Sequence, residues 1–467
     1  MNTRRLLSSS ALYGLADMAV VAVSGFLLLP LYTRALSQAQ FGEYVAVRAN
    51  IDILVYALHL GIPSAVSRLY FDRRKAGEQY AYMSSVLWLF LTTLALLAGI
   101  SLIWGEPLWR LLSPAVPVQP ALPFALAISA VSFLGALAVI WLRAEGKVGA
   151  VVGLQMGASA TMAAVATAAM VVGHMRLEGI LLAMLVSAFV PATALPVLLG
   201  RRFRLLPRRI DLVQTLKFAL PVMVGYLAYF VLNRFSTLLL QRHVSSEELA
   251  VFGLAQQLSM IIAMASTAFG TALQPMIFSS DVTHVNESLA KAGRLMMLMM
   301  TAVLTVLLLF AHELFDLVAP HGYSHGLIAM TVLAVGNFTL AATLVSETAL
   351  LYHHKVKTSV IISILSALAA AVLGLWLVPM HHVTGGALAV SGGLLVRMVM
   401  SQWAAWRITG LSRWRYALVG TASAVCIGWA ALQIQDLPFE AVALIVTKVL
   451  LLVVVVTLQF LVNKKFS

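Results

Sequence analysis

Arg48 and Asp52 stand four residues apart in a stretch, residues 45–60, that is otherwise mostly apolar. On a helix this spacing stacks the two side chains on one face, close enough to pair. An arginine held at that depth offers planar, always-charged donors to a pyrophosphate or an acidic sugar, and a neighbouring carboxylate can tune it or titrate. The simpler alternative is an internal salt bridge that only lets both residues be buried. Asn50 and Tyr56 make this the most polar interior stretch of the chain. Other ionisable side chains stand within long apolar runs: Asp17, His59, Arg234, Glu347, Arg397 and Lys448. In a hydrocarbon environment each charge costs roughly 2.5–3.5 kcal/mol to insert, so each calls for a partner or a wet cavity.

The elements that must position these groups follow from composition. Of 467 residues, 61% are hydrophobic and 10% charged, too few charges for a water-soluble surface. Apolar runs of 18 or more residues recur along the chain, which predicts an all-α polytopic membrane protein. Spans are expected near 11–32, 43–68, 82–104, 121–142, 150–172 and 178–199, then near 216–240, 249–276, 294–318, 326–352, 358–379 and 385–407, with two more near 416–434 and 439–461. That makes about fourteen. Basic residues fall on one side of this arrangement: 23 of the 31 lie in loops on the side of the termini, against Arg34, Arg110, Arg176 and Arg242 opposite. Both termini are therefore expected in the cytoplasm. The inner loop near 200–215, with Arg201, Arg202, Arg204, Arg208 and Arg209, reads first as a topology signal that touches anionic lipid headgroups, and second as a site for an anionic substrate. The outer connector near 105–120, rich in Pro, is expected to be an extended rim element.

The chain is duplicated. Arg34, Ser37, Phe41, Gly42 and Tyr44 recur as Arg242, Ser245, Leu249, Ala250 and Phe252, at an offset of 208 residues. Glu145–Val148 and His353–Val356 match at the same offset, and Glu178–Leu181 and Gly385–Leu388 at one residue less. Six spans per repeat give both copies the same orientation, so they are related by an axis along the membrane normal and inverted-repeat architectures are excluded. The expected domains are a lobe at 1–205, a second at 206–410 and two added helices at 411–467. Two such lobes would enclose a central cavity that opens alternately to each side. Gln256 is the repeat counterpart of Arg48 and is followed by Gln257; Arg234 has Phe26 as its counterpart. The residues expected to line the cavity are Arg48, Asp52, Arg234, Gln256, Gln257 and Arg397. Asp17 and Glu347 are candidates for ion or proton coupling, and Lys448 for lipid contact.

The run Leu28–Arg34 followed by Leu36-Ser37 and Phe41-Gly42-Glu43-Tyr44, then Leu60-Gly61-Ile62 and Arg68-Leu69-Tyr70, resembles the polysaccharide-transporter branch of the MATE-like (MOP) exporter superfamily, the Wzx-type flippases of O-antigen and exopolysaccharide assembly. The resemblance covers essentially the whole chain. It implies movement of a polyprenyl-pyrophosphate-linked oligosaccharide across a bacterial inner membrane, with membrane lipids and other polysaccharide assembly proteins as partners and a monomer as the working unit. A cation-coupled MATE-type multidrug exporter and a lipid II flippase are the near alternatives. The spans carry four basic residues (Arg48, Arg234, Arg397, Lys448) against three acidic ones (Asp17, Asp52, Glu347), which favours an anionic cargo over organic cations.

Several chemistries are not expected. A phosphate loop is absent, since Trp141 stands where the first Gly before Gly146-Lys147 would be, so ATP hydrolysis on this chain is not the energy source. His353-His354 and His381-His382 lack further ligands at metal spacing, and neither a metal nor another cofactor is predicted. The basic excess reads as inner loops, with no nucleic-acid partner. The outer loops are too short for the catalytic loop of a membrane-embedded polysaccharide polymerase or ligase, so the chain is not read as an enzyme.

Overall fold

A computed structural model of the chain describes residues 20, 22–200, 206–278, 285–319, 322–410, 420–428 and 433. Asp17, Lys448, Arg201, Arg202, Arg204 and the expected span near 439–461 lie outside these, as do parts of the spans near 11–32 and 416–434. Among the described residues the fold is helical throughout, with no strand. In chain order the helices are α1 (Leu29–Ala35), α2 (Gln38–His59), α3 (Ile62–Lys75), α4 (Gln79–Leu112), α5 (Val118–Ala144), α6 (Val148–Thr167), α7 (Leu177–Ala192), α8 (Ala194–Leu199), α9 (Arg209–His243), α10 (Ser246–Phe278), α11 (Val285–Leu309), α12 (Ala311–Val318), α13 (Leu327–Tyr352) and α14 (Val356–Thr409).

Ten helical stretches among the described residues are long and apolar enough to cross a membrane. They account for the second to the twelfth expected spans. The last of them, α14, has 54 residues. At about 1.5 Å per residue it would be more than twice as long as a bilayer core of about 30 Å is thick. It is interrupted at His382, whose backbone (φ 49°, ψ −122°) is not helical, so it supplies two spans with almost no loop between them. Bare apolar surface runs along these helices, with Leu102, Ile103 and Trp104 of α4 all more than half exposed. Such a surface is stable only against lipid tails. The connector expected on the outer side is shorter than the sequence suggests. Helix α4 continues to Leu112, and the turn after it is pinned by the Trp109 indole, which donates to the Val116 carbonyl at 3.1 Å.

The duplication is written into the backbone hydrogen bonds. After α5, the amides of Glu145, Gly146 and Lys147 donate to the carbonyls of Trp141, Arg143 and Leu142. After α13, those of His353, His354 and Lys355 donate to Ala349, Leu351 and Leu350. Every donor and acceptor pair is displaced by 208 residues. The left-handed residue in each turn is Gly146 (φ 74°) in one copy and His354 (φ 56°) in the other. The helix starts match in the same way. Ser37 and Gln40 exchange side-chain and backbone bonds at the head of α2, and Ser245 and Glu248 do so at the head of α10. These are two capping boxes, each satisfying the amides that a helix start leaves unbonded.

The chain divides into two compact units, Met1–Phe230 with Val244–Ala250, and Val231–His243 with Val251–Ser467. The division falls inside α9, after Phe230, whereas the sequence repeat begins near 206. In the first unit a core of Leu58, Tyr70, Tyr82, Phe90, Phe133 and Trp141 joins α2 to α5, with the Phe90 and Phe133 rings stacked at 4.3 Å. In the second unit, small residues let helices approach closely, as membrane interiors favour. A Cβ on Gly336 of α13 would overlap the side chain of Ser391, whose hydroxyl donates to the Val332 carbonyl at 2.9 Å.

Candidate functional site

Within the first unit, α2 carries the charge pair singled out by its spacing. Arg48 Nε lies 3.4 Å from Asp52 Oδ1, with the arginine side chain 40% exposed and the aspartate 19%. The first unit thus covers the arginine side chain only in part. Asn50 faces away. It is buried, and its amide donates to Ser113 Oγ at 2.7 Å, tying α2 to the end of α4. Tyr56 continues the Arg48–Asp52 face one turn on. Its ring stacks near Tyr226 at 6.1 Å and meets Phe230 edge-on at 6.0 Å. The span then breaks: Leu60 (φ 46°) and Gly61 (φ 74°) are both left-handed, and α3 starts afresh with Pro63 in its first turn. A Cβ on Gly61 would overlap the Ala219 carbonyl of α9, so glycine is required both for its dihedral and for its bareness. Ser64 and Tyr226 share a hydrogen bond of 2.7 Å across the same junction. His59 packs edge-on to Phe133 at 5.2 Å.

Within the second unit, two further arginines find partners. Arg234 Nη1 donates to Gln256 Oε1 at 3.1 Å, and Gln256 Nε2 donates to the Asn233 carbonyl at 2.9 Å. Gln256 is buried, and Gln257 beside it is half-buried. Repeat spacing aligns Gln256 with Arg48, yet the contact it makes is to the arginine of the preceding helix. The reason lies in the counterpart of Asp52, which is Met260. With no carboxylate one turn on, the second repeat presents a neutral acceptor, and α9 supplies the cation. Arg397 of α14 and Glu347 of α13 form a two-pronged pair, Nε to Oε1 at 3.0 Å and Nη2 to Oε2 at 3.1 Å, with side chains 15% and 14% exposed. The fork geometry neutralises both charges in place. The sequence nominated these two residues separately, and the structure makes them one unit.

A third constellation was not anticipated from the sequence. At the ends of the first unit's helices nearest the basic loops, Arg73 of α3 reaches Asp211 Oδ1 of α9 at 2.7 Å and donates to Gln214 Oε1 at 2.6 Å. Glu78 lies between Arg73, at 3.4 Å, and Arg208, at 2.7 Å. The Arg208 amide donates to Ser85 Oγ at 3.0 Å, and Thr215 Oγ1 to the Tyr82 hydroxyl at 3.3 Å. Beside it, Tyr70 donates to Glu145, whose other oxygen is 3.6 Å from Arg74. Arg73 and Arg208 were both counted as topology signals. The acidic residues opposite them, few in so apolar a chain, were the signal that could have revealed the clasp.

These sites sit on a fold and sequence that can be compared with known proteins. The family model described as "Polysaccharide biosynthesis protein" matches residues 10–281, more than half of the chain. The chain belongs to this polysaccharide biosynthesis family. The family resemblance carried by residues 28–44 and 60–70 is thereby borne out, and the all-helical fold of this chain matches those of solved membrane transporters. A solved structure of "Lipid II flippase MurJ, inward closed conformation" superposes with a TM-score of 0.74 at 13% identity, covering 97% of this chain and 99% of the other. An inward-facing multidrug resistance MATE family transporter of the MOP superfamily superposes at 0.61, with 19% identity and 90% and 95% coverage. A MOP superfamily transporter from Pyrococcus furiosus, whose binding pocket is described as of reverse polarity, superposes at 0.54, with 17% identity and 91% and 96% coverage. No curated protein matches significantly by sequence. These three neighbours are described as a flippase and two transporters, and the fold they share with this chain, with its ten membrane-capable helical stretches among the described residues, makes this polysaccharide family member a multi-pass membrane protein.

Proposed function

We propose that this protein is a flippase that moves a polyprenyl-pyrophosphate-linked oligosaccharide from the inner to the outer leaflet of a bacterial inner membrane, for O-antigen or exopolysaccharide assembly. The observation that carries the reading is Arg48: a permanent cation in the outer half of its expected span, in a polysaccharide-family chain, whose side chain is two-fifths exposed although Asp52 is beside it. Burying such a charge without use is costly, and a diphosphate is the anion of that cargo. Arg234, Gln256, Gln257 and Arg397 extend the polar lining, and Asp17 and Glu347 are the coupling candidates. In this reading the lobes at 1–205 and 206–410, with 411–467 appended, expose a cationic cavity alternately to each side; the protein works as a monomer with both termini cytoplasmic, alongside other polysaccharide assembly proteins.

Deleting the gene in its native host tests the cargo class. A lipid-linked glycan should accumulate on the cytoplasmic leaflet, and a plasmid copy with Arg48→Ala should restore protein level without restoring export. Retained export by that variant would remove Arg48 from the site. The likeness to the lipid II flippase, across nearly the full length of both chains, supports lipid II as a second cargo of the same diphosphate chemistry. Rescue of a strain depleted of its lipid II flippase would select that cargo. Heightened drug sensitivity with no accumulated glycan would instead select the multidrug exporter.

A further inference from the structure

Ten positions among the described residues have a positive φ. Six are glycine, and three of the other four are histidines, His174, His354 and His382, in a chain with only 11 histidines among 467 residues. A side chain held in this region costs free energy that glycine would not. Histidine tolerates it better than most residues, and tolerance is enough for His354, whose repeat counterpart is Gly146 (φ 74°). That position accepts either residue, so only its backbone matters. His174 and His382 differ, because they are counterparts of each other: 382 minus 174 is again 208. Both have φ 49°, and His382 pairs it with ψ −122°, which is not helical. Both copies thus keep an imidazole where glycine would relax the backbone. Among the described residues neither ring has a hydrogen-bond, ion-pair or ring partner, and both residues are exposed. The fold therefore does not use these rings, and something outside the protein does.

We propose that His174 and His382 are lipid ligands, each giving its ring to the headgroup phosphate of a phospholipid. Within the first unit, His174 stands in the short turn between α6, with its extension to Val172, and α7; within the second, His382 is the break that divides α14. Each ring is therefore placed where one membrane-spanning stretch ends and the next begins, at the depth of the headgroups. The residues beside the rings identify the surroundings. Val171 and Val172 in one turn and Met380 in the other are more than half exposed, a surface that is stable only against lipid. An imidazole N–H donates to a phosphate oxygen, and a protonated ring does so with the added strength of charge. In the first turn the exposed Arg176 adds a permanent cation two residues on, whereas its counterpart in the second is Thr384, which donates to the His381 carbonyl at 2.8 Å. The proposal holds for any cargo.

The test uses the full chain, delipidated in detergent micelles, and follows its melting temperature. Added phosphatidylglycerol should raise the melting temperature of the parent more than added diacylglycerol, which has no phosphate. The double variant His174→Gly, His382→Gly should melt at or above the parent without lipid, because the backbone is relaxed, and should lose most of the gain from phosphatidylglycerol. Native mass spectrometry gives a second readout: each single variant should retain one phosphatidylglycerol fewer than the parent. An undiminished gain in the double variant would overturn the proposal. So would a double variant that melts below the parent without lipid, since the rings would then be holding the protein itself. If inorganic phosphate reproduces the gain, the ligand is a dissolved anion and the membrane assignment fails.

Discussion

The clasp between Arg73 and Asp211 sets up a sharp test of what buried charges do here. Asp211 is wholly buried, and Arg73 Nη2 approaches it at 2.7 Å without the alignment of a good hydrogen bond. A pair of this kind gains little over an apolar replacement but is expensive to break from one side, by about 3–5 kcal/mol. The two sides are unequal. Replacing Asp211 by leucine leaves Arg73 with Gln214 at 2.6 Å and Glu78 at 3.4 Å, so the loss should sit near the lower end, about 3 kcal/mol. Replacing Arg73 by methionine strands a buried carboxylate and should cost about 4 kcal/mol. The double variant removes the stranded charge and should cost no more than the worse single variant, a coupling of about 3 kcal/mol. Unfolding of the purified protein in mixed micelles, followed by tryptophan fluorescence, measures all three. If the losses add to within about 0.5 kcal/mol, the residues are independent and the clasp is only proximity.

Three other outcomes follow from described contacts. Gly61→Ala forces a Cβ into a left-handed site against the Ala219 carbonyl and should lower stability by about 1–3 kcal/mol, read as earlier loss of monodisperse protein on heating; an unchanged profile would mean that the span break can relax. Arg397→Ala should destabilise more than Glu347→Gln, since alanine removes both prongs of the fork and glutamine keeps an acceptor, and the same heating assay ranks them. Gln256→Leu removes an acceptor from Arg234 and the donor to the Asn233 carbonyl, and should reduce folded yield by more than Gln257→Leu; equal yields would make the Arg234 contact incidental.

Much of this architecture was legible because membranes allow few solutions. Long apolar runs had to be helices, and eleven of the expected spans lie on described helices. The 208-residue offset recovered a duplication that the backbone hydrogen bonds repeat donor for donor. Arg48 and Asp52 were paired by helical periodicity alone. What periodicity could not reach was contact between helices distant in sequence. Glu347 and Arg397 are 50 residues apart, and Arg73 and Asp211 further still, so no local rule joins them. Gln256 was legible as polar and placed by the repeat, but its choice of Arg234 goes with Met260 standing where the first copy has a carboxylate. Charges at the basic loops carried a second ambiguity, because an arginine there can read as a topology signal and also be a structural partner.

The position of α9 bears on how such a chain could ever have been two. Its first half is fastened to the first unit by Asp211, by Gln214 and by the Ala219 backbone under Gly61, although by sequence it opens the second repeat. A half-length protein ending at residue 205 would strip Arg73 of Asp211 and Gln214, Glu78 of Arg208, and the bare backbone of Gly61 of the Ala219 carbonyl. The first repeat has thus come to depend on the start of the second: the join between repeats is no longer a seam at which the first can be cut away self-sufficient, and only a break beyond Phe230 would leave the first unit with its full complement of α9.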